Sequence, residues 1–262
     1  MIIPDKNYFT AATTQVIKSF EGGYFHPKMY MNNPSKFTGY DTSGETMFGL
    51  DRHAGFDLYY KGKRKATAVQ DNLKYIESGA YEYKTPAARE FWEIIDKADA
   101  KNKWKWLDRG FENENKLTLL ASEIIYPEFL RLADKYLKTD ESKKLVFSDP
   151  RLLFHFVYAT WNGEGFFKFY ANKLLDKIET TKNLDSIIDE QLNFRINSKY
   201  SQIRDTGAKM AKLFTNENFK KKFNELAQQV KTTVGNNSKL LPILLTGLII
   251  AGYFITRKLQ KA

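Results

Sequence analysis

Glu21 is followed by Gly22, Gly23 and Tyr24, and a second polar segment, Asp41-Thr42-Ser43-Gly44-Glu45-Thr46-Met47-Phe48-Gly49-Leu50, comes close behind it. These two segments hold the residue types that acid–base chemistry on a sugar requires. A glutamic acid at the end of a helix meets the negative end of the helix dipole, and a cleft that shields it from water favours its protonated form further. Such a group can act as a general acid. If the glycine-punctuated segment folds back across the helix end as a hairpin, Asp41 and Thr46 face Glu21 over a groove. A carboxylic acid opposite a carboxylate, or opposite a hydroxyl that holds a water, is the arrangement that cleaves glycosidic bonds. Taken singly, Glu-Gly-Gly also reads as an ordinary helix stop, and the second segment as a polar hairpin without chemistry.

The elements that must position these residues follow from periodicity. From Thr10 the segment TAATTQVIKSFEGGY spaces Ala12, Val16 and Phe20 by four and stops at Gly22-Gly23, which places Glu21 at a helix C-terminus. Residues 24–60 are dense in Gly and Pro and suit short strands and loops. From Pro86 onward the helical period dominates, with helices expected over 87–100, 114–137 across Pro127, 150–160, 167–178, 184–192 and 206–230. RLLFHFVYATW is apolar on nearly every face and reads as a helix enclosed by others. The body, residues 1–230, is therefore expected to be α+β, mostly helical, with a small β-hairpin region near the N-terminus.

Composition narrows the chemistry. The chain has 262 residues with 20 Phe, 15 Tyr and 4 Trp, ample for a buried core. With no cysteine, it has no disulfides, thiolate nucleophiles or thiolate metal sites. His26, His53 and His155 are far apart in sequence and read as ordinary residues, so a histidine-led metal centre or a Ser/His triad has few possible members.

The net charge of +10 is unevenly spread, because residues 231–262 carry Lys231, Lys239, Arg257, Lys258 and Lys261 and no acidic residue, half of the total. Residues 231–239 are polar and turn-rich and read as a linker. LLPILLTGLIIAGYFIT, residues 240–256, holds no charge and is flanked by Lys239 and by Arg257-Lys258 at the start of a basic tail, 257–262. As a helix it reaches about 25 Å, and snorkelling basic side chains would make up the difference to a bilayer core. It is expected to be a C-terminal transmembrane anchor; a buried terminal helix is the alternative. The N-terminus, MIIPDKNYF, shows no cleavable export signal. No clustered basic stripe with a binding motif is present, so nucleic acid is not expected as a partner.

Taken together, Glu21-Gly22-Gly23-Tyr24 and Asp41 through Leu50 resemble glycoside hydrolase family 108, phage and bacterial N-acetylmuramidases of the lysozyme superfamily. That family opens with a helix ending in Glu-Gly-Gly-Tyr, followed by an Asp-x-Gly-Gly-x-Thr-x-x-Gly-Ile signature. Ser43 replaces the first glycine of the signature and Leu50 its isoleucine, and the Glu21-to-Asp41 spacing is longer than the family's, so residues 25–38 would form an extended hairpin or loop. Tyr158-Ala-Thr-Trp-Asn-Gly163 looks like the family's later helix ending in Asn-Gly under the groove, and Arg195 to Arg204 like its closing helix.

The resemblance implies a lysozyme-like fold and attack on the β-1,4 bond after N-acetylmuramic acid in peptidoglycan. Glu21 would protonate the leaving oxygen, and Asp41 would stabilise the developing charge or orient a water with Thr46, with no metal or organic cofactor needed; Glu45 is the alternative partner. Tyr24, Tyr30, Phe37 and Tyr40 are candidate platforms for sugar rings, with core packing as the alternative, and Glu45 and Asn162 are further candidate substrate contacts. A lytic transglycosylase using the same glutamate, and a non-catalytic wall-binding or virion protein, are the competing readings. The anchor implies a membrane-associated protein, in a phage virion membrane with virion proteins as partners, or in the host membrane.

Overall fold

The computed structural model describes residues 2–25, 45–52, 73–75, 81–99, 111–215 and 218–236. These form helix α1 (Lys6–Phe20), short strands β1 (Tyr24–Phe25), β2 (Thr46–Met47), β3 (Leu50–Asp51), β4 (Leu73–Tyr75) and β5 (Tyr81–Tyr83), and helices α2 (Pro86–Lys97), α3 (Glu114–Tyr136) and α4 (Asp140–Ser148). Five more helices complete the order: α5 (Pro150–Trp161), α6 (Glu164–Thr180), α7 (Leu184–Ile196), α8 (Ser201–Phe214) and α9 (Asn218–Asn236). The protein is mostly helical with a three-stranded antiparallel sheet, β1-β2-β3, and a separate β4-β5 hairpin. Among the described residues, no helix is long and apolar enough to cross a membrane; residues 240–256, where the anchor is expected, lie outside them.

α5 is the axis of the body. Asp149 caps it by accepting from the N–H groups of Arg151 and Leu152, and Pro150 occupies its first turn, where no backbone donor is needed. Its residues from Leu152 to Trp161 are buried, and α1, α3, α4, α6 and α9 all pack on it. An all-round apolar helix is stable only inside such a ring. α1 begins earlier than its apolar spacing indicates, because the Asp5 carboxylate accepts from Asn7 and Tyr8 N–H and caps the first turn.

Two expectations are corrected. The helix expected over 206–230 is two helices: α8 ends at Phe214 and α9 starts at Asn218. Phe214 and Phe219 both pack against Phe154, at 5.7 and 6.1 Å between ring centroids. Five residues apart on one straight helix they would point about 140° away from each other, so burying both against one ring requires a break. α9 then runs on through Asn236, into the stretch that reads as a linker. α4 was hidden because its capping box uses Ser142 with Thr139, in place of the usual Glu or Gln.

Helices α7 and α8 meet at Gly207. A β-carbon there would lie 2.7 Å from Arg195 Cβ and 2.9 Å from the Ile196 backbone nitrogen, whereas one at Gly165 in α6 would meet nothing within 4 Å. Helix propensity favours alanine at both positions by up to ~1 kcal/mol, but overpacking costs ~1–3 kcal/mol. Thermal unfolding of Gly207→Ala should therefore give a lower midpoint than the parent and Gly165→Ala an equal or higher one; a higher midpoint for Gly207→Ala would show that the helices part freely.

Candidate active site

Glu21 is the C-cap of α1. Its backbone N–H still bonds to Ile17 O, while its own φ of −99° and ψ of 142° turn the chain out of the helix. Gly22 and Gly23 carry it into β1, which pairs with β2 through Tyr24 opposite Met47 and Phe25 opposite Thr46. β2 and β3 are joined by the two-residue turn Phe48-Gly49, both at positive φ, 55° and 71°. Such a turn matches the twist of a tight hairpin and is easy for glycine but strained for phenylalanine.

This turn folds back over the Glu21 carboxyl. An ideal β-carbon on Gly49 would sit 2.3 Å from Glu21 Oε2 and 3.1 Å from Trp161 Nε1, so only glycine lets the backbone approach so closely. Trp161, in the last turn of α5, donates its indole N–H to Phe48 O at 3.0 Å. The Phe48 ring is fully buried against Phe91 and Phe111. Tyr158 lies one turn before Trp161, and its ring packs on Phe20 at 4.8 Å.

Removal from water pushes the Glu21 pKa up to about 8. A carboxyl in this state is about nine-tenths protonated at pH 7, as a general acid requires. The same burial, with the nearby Glu21 charge, pushes Tyr158 up.

Thr46 is half-buried in β2, on the sheet face that Phe25 and Asp51 share by register. Glu45 is engaged elsewhere: Tyr24 donates its hydroxyl to Oε1 at 2.8 Å and Arg52 donates to Oε2 at 3.1 Å. Arg52 also makes a two-point bond to Asp96, at 2.8 and 2.6 Å, donates to the Tyr83 hydroxyl and lies 5.2 Å from the Trp92 ring. This clasp ties the hairpin to α2. Tyr24 is 2% exposed, so the expected sugar platform is instead a strut of the clasp. Asn162 caps α5 by donating Nδ2 to Tyr158 O at 2.7 Å and is exposed. Asp41, Tyr30, Phe37 and Tyr40 lie outside the described residues.

The structure thus brings together Glu21 and the Gly49 end of the second motif, and adds Trp161, Tyr158 and Arg52. Trp161 and Tyr158 stood in the Tyr158–Gly163 segment, but nothing local marked the indole as the donor to a distant turn. Among the described residues, no group of three or more His, Cys, Asp or Glu side chains is arranged to hold a metal ion. A groove of about 740 Å³ runs along α2 from Tyr83 to Lys97, and Glu21 is not part of its lining. Searches of family models, curated proteins and solved structures found no match to this chain.

The raised pKa has a stability consequence of defined sign. Glu21 stays protonated in the fold where the unfolded chain has ionised it, so its contribution is complete below about pH 4.5 and is lost as pH rises through about 8. Glutamine cannot ionise. The stability of Glu21→Gln relative to the parent should therefore increase between pH 5 and pH 9 by more than ~1 kcal/mol, roughly 2–4 °C in melting temperature. A constant difference across that range would mean the carboxyl titrates normally.

Proposed function

We propose that this chain is a peptidoglycan glycosidase of the N-acetylmuramidase type with a lysozyme-like fold. The observation that carries the reading is the Glu21 carboxyl, kept protonated near neutral pH beneath the Gly49 turn. Glu21 gives its proton to the glycosidic oxygen as the bond to the departing sugar lengthens and positive charge builds on the ring it leaves. Asp41 stabilises that charge or, with Thr46, orients the water that completes hydrolysis. The Gly49 backbone stands close over the carboxyl of the half-buried Glu21, and the partial loss of water there favours its protonated form until substrate arrives.

A lytic transglycosylase uses one glutamic acid first as acid and then as base toward the sugar's own hydroxyl. The engagement of Glu45 by Tyr24 and Arg52 favours such single-glutamate chemistry over any scheme in which Glu45 takes part. The full chain should release soluble fragments from purified peptidoglycan, and Glu21→Gln should reduce the rate about 10²–10⁴-fold. Mass spectrometry then separates the readings: reducing muramic ends signify hydrolysis and anhydro ends transglycosylation. Absence of products from the parent chain, or equal rates for Glu21→Gln, would remove the catalytic assignment.

In this reading residues 240–256 anchor the enzyme in a bilayer, in a phage virion that opens the wall during genome entry; a host-membrane lysis enzyme is the other setting. Support comes from the uncharged run itself and its basic flanks. The full chain should stay with membranes through alkaline extraction. Its recovery in the soluble fraction would overturn the anchor.

A further inference from the structure

Three polar side chains are sealed inside the helical body: His155 on α5, and Gln191 and Arg195 on α7, each 1% exposed. Gln191 and Arg195 are four residues apart, so they stand one above the other on the buried face of α7. Arg195 Nε donates to His155 Nδ1 at 3.4 Å and so joins α7 to α5. The rings of Tyr170, on α6, and Tyr158, on α5, cover the guanidinium, with its carbon 4.3 and 5.1 Å from their centres. On the α8 side Gly207 comes so close that a β-carbon there would lie 2.7 Å from Arg195 Cβ. Four helices therefore enclose the group.

Its hydrogen bonding is one-sided. Arg195 Nη2, His155 Nε2 and both amide atoms of Gln191 have no partner. Burial, followed by the Arg195 charge, holds the His155 pKa well below the usual range, so the imidazole is neutral. Because its Nδ1 accepts from Arg195, the ring proton is on Nε2, which is a donor. All three side chains thus hold unmet donors, and Gln191 Oε1 is the one unmet acceptor among them. Buried polar atoms in folded proteins are almost always paired, with protein or with something bound.

The charge is one-sided too. Burial lowers the Arg195 pKa, and the groups that act against it are Tyr170 and Tyr158, not a carboxylate. A guanidinium nonetheless stays protonated. α5 contains no Asp or Glu. On the other three helices Glu164 is paired with Arg131 and Lys135, Asp185 with Arg151 and Glu190 with Lys177, and the remaining acids are exposed. A buried cation without a counter-charge is costly, and an apolar side chain of similar volume would fill the place at less expense. We propose that Arg195 and Gln191, backed by His155, form an internal binding site for a small monovalent inorganic anion of the chloride class. The anion accepts from Arg195 Nη2 and Gln191 Nε2, which close on it from adjacent turns of α7, and it supplies the negative charge that the surrounding helices withhold. A water could take the same donors but would leave the guanidinium charge uncancelled. Enclosure by four helices favours a monatomic ion over an organic acid.

The site does not depend on the glycosidase reading, and its test uses no activity. Thermal unfolding of the full chain would be followed in sodium chloride, sodium bromide and sodium gluconate at constant ionic strength. Chloride and bromide should raise the midpoint by about 2–4 °C in a saturable way, and gluconate should not. Arg195→Met should melt no lower than the parent in gluconate and show no difference between the salts, and Gln191→Leu should raise the half-saturating chloride concentration about tenfold. In crystals grown with bromide, an anomalous peak should lie against Arg195 Nη2. A parent midpoint equal in all three salts, a halide effect that persists in full in Arg195→Met, or bromide peaks that all lie elsewhere would each overturn the proposal. If Arg195→Met does not fold, Gln191→Leu and the bromide peak decide: an unchanged half-saturating concentration with no peak at Arg195 overturns it equally.

Discussion

The site depends on one hydrogen bond, from the Trp161 indole to the carbonyl of Phe48. Strands of two residues cannot hold a hairpin in place through their own ladder, because an isolated short hairpin is marginal in water. The turn must be fixed from outside. Trp161 does this from the last turn of the most enclosed helix, where its own position is set by packing on every side. Phe48 contributes the other half: its φ of 55° is unfavourable for a residue with a β-carbon, and it persists because its ring is buried and its carbonyl is held. The strain and the hydrogen bond together determine where Gly49 lies, and Gly49 determines how dry the Glu21 carboxyl is.

Glu21 and Glu45 show how environment alone separates two identical side chains. Glu45 accepts from a tyrosine hydroxyl and a guanidinium, one at each of its carboxylate oxygens. Glu21 is given the opposite treatment, with burial as the cause that raises it. The two carboxyl groups are thus set to different uses, Glu45 tied into the frame by its hydrogen bonds and Glu21 left to hold a proton. The frame has a further consequence. Arg52 spans Glu45 on the hairpin and Asp96 on α2, so the hairpin is secured to the helical body at two places, by the clasp and by Trp161.

Much of this was legible in the amino-acid order. The unbroken apolar face of residues 150–161 announces an enclosed helix, and the spacing before Gly22-Gly23 puts Glu21 at a helix end, since both signals are local. What was hidden depends on partners distant in the chain. Trp161 and Phe48 are 113 residues apart and Arg52 and Asp96 are 44 apart, so no window of periodicity contains either pair. Tyr24 looked like a sugar platform because aromatic type alone does not tell a strut from a surface. The break between α8 and α9 was invisible for a related reason: amphipathic spacing continues across it, and the demand that Phe214 and Phe219 share Phe154 arises in three dimensions.

The route to a protonated glutamic acid also differs from the one its helix position suggests. A helix C-terminus disfavours an anion, but that effect is modest and fades beyond the last turn, and the extended backbone at Glu21 already leads out of the helix. Desolvation is the stronger agent, and it is produced by backbone: the Gly49 turn reaches a distance from Oε2 that a side chain would occupy. A peptide turn clamped by Trp161 is a more rigid cover than a rotatable side chain, and it keeps water away without giving Glu21 a charged partner. The glycine is therefore required twice, for its positive φ and for its missing β-carbon, and both requirements meet at the carboxyl whose proton the reaction would use.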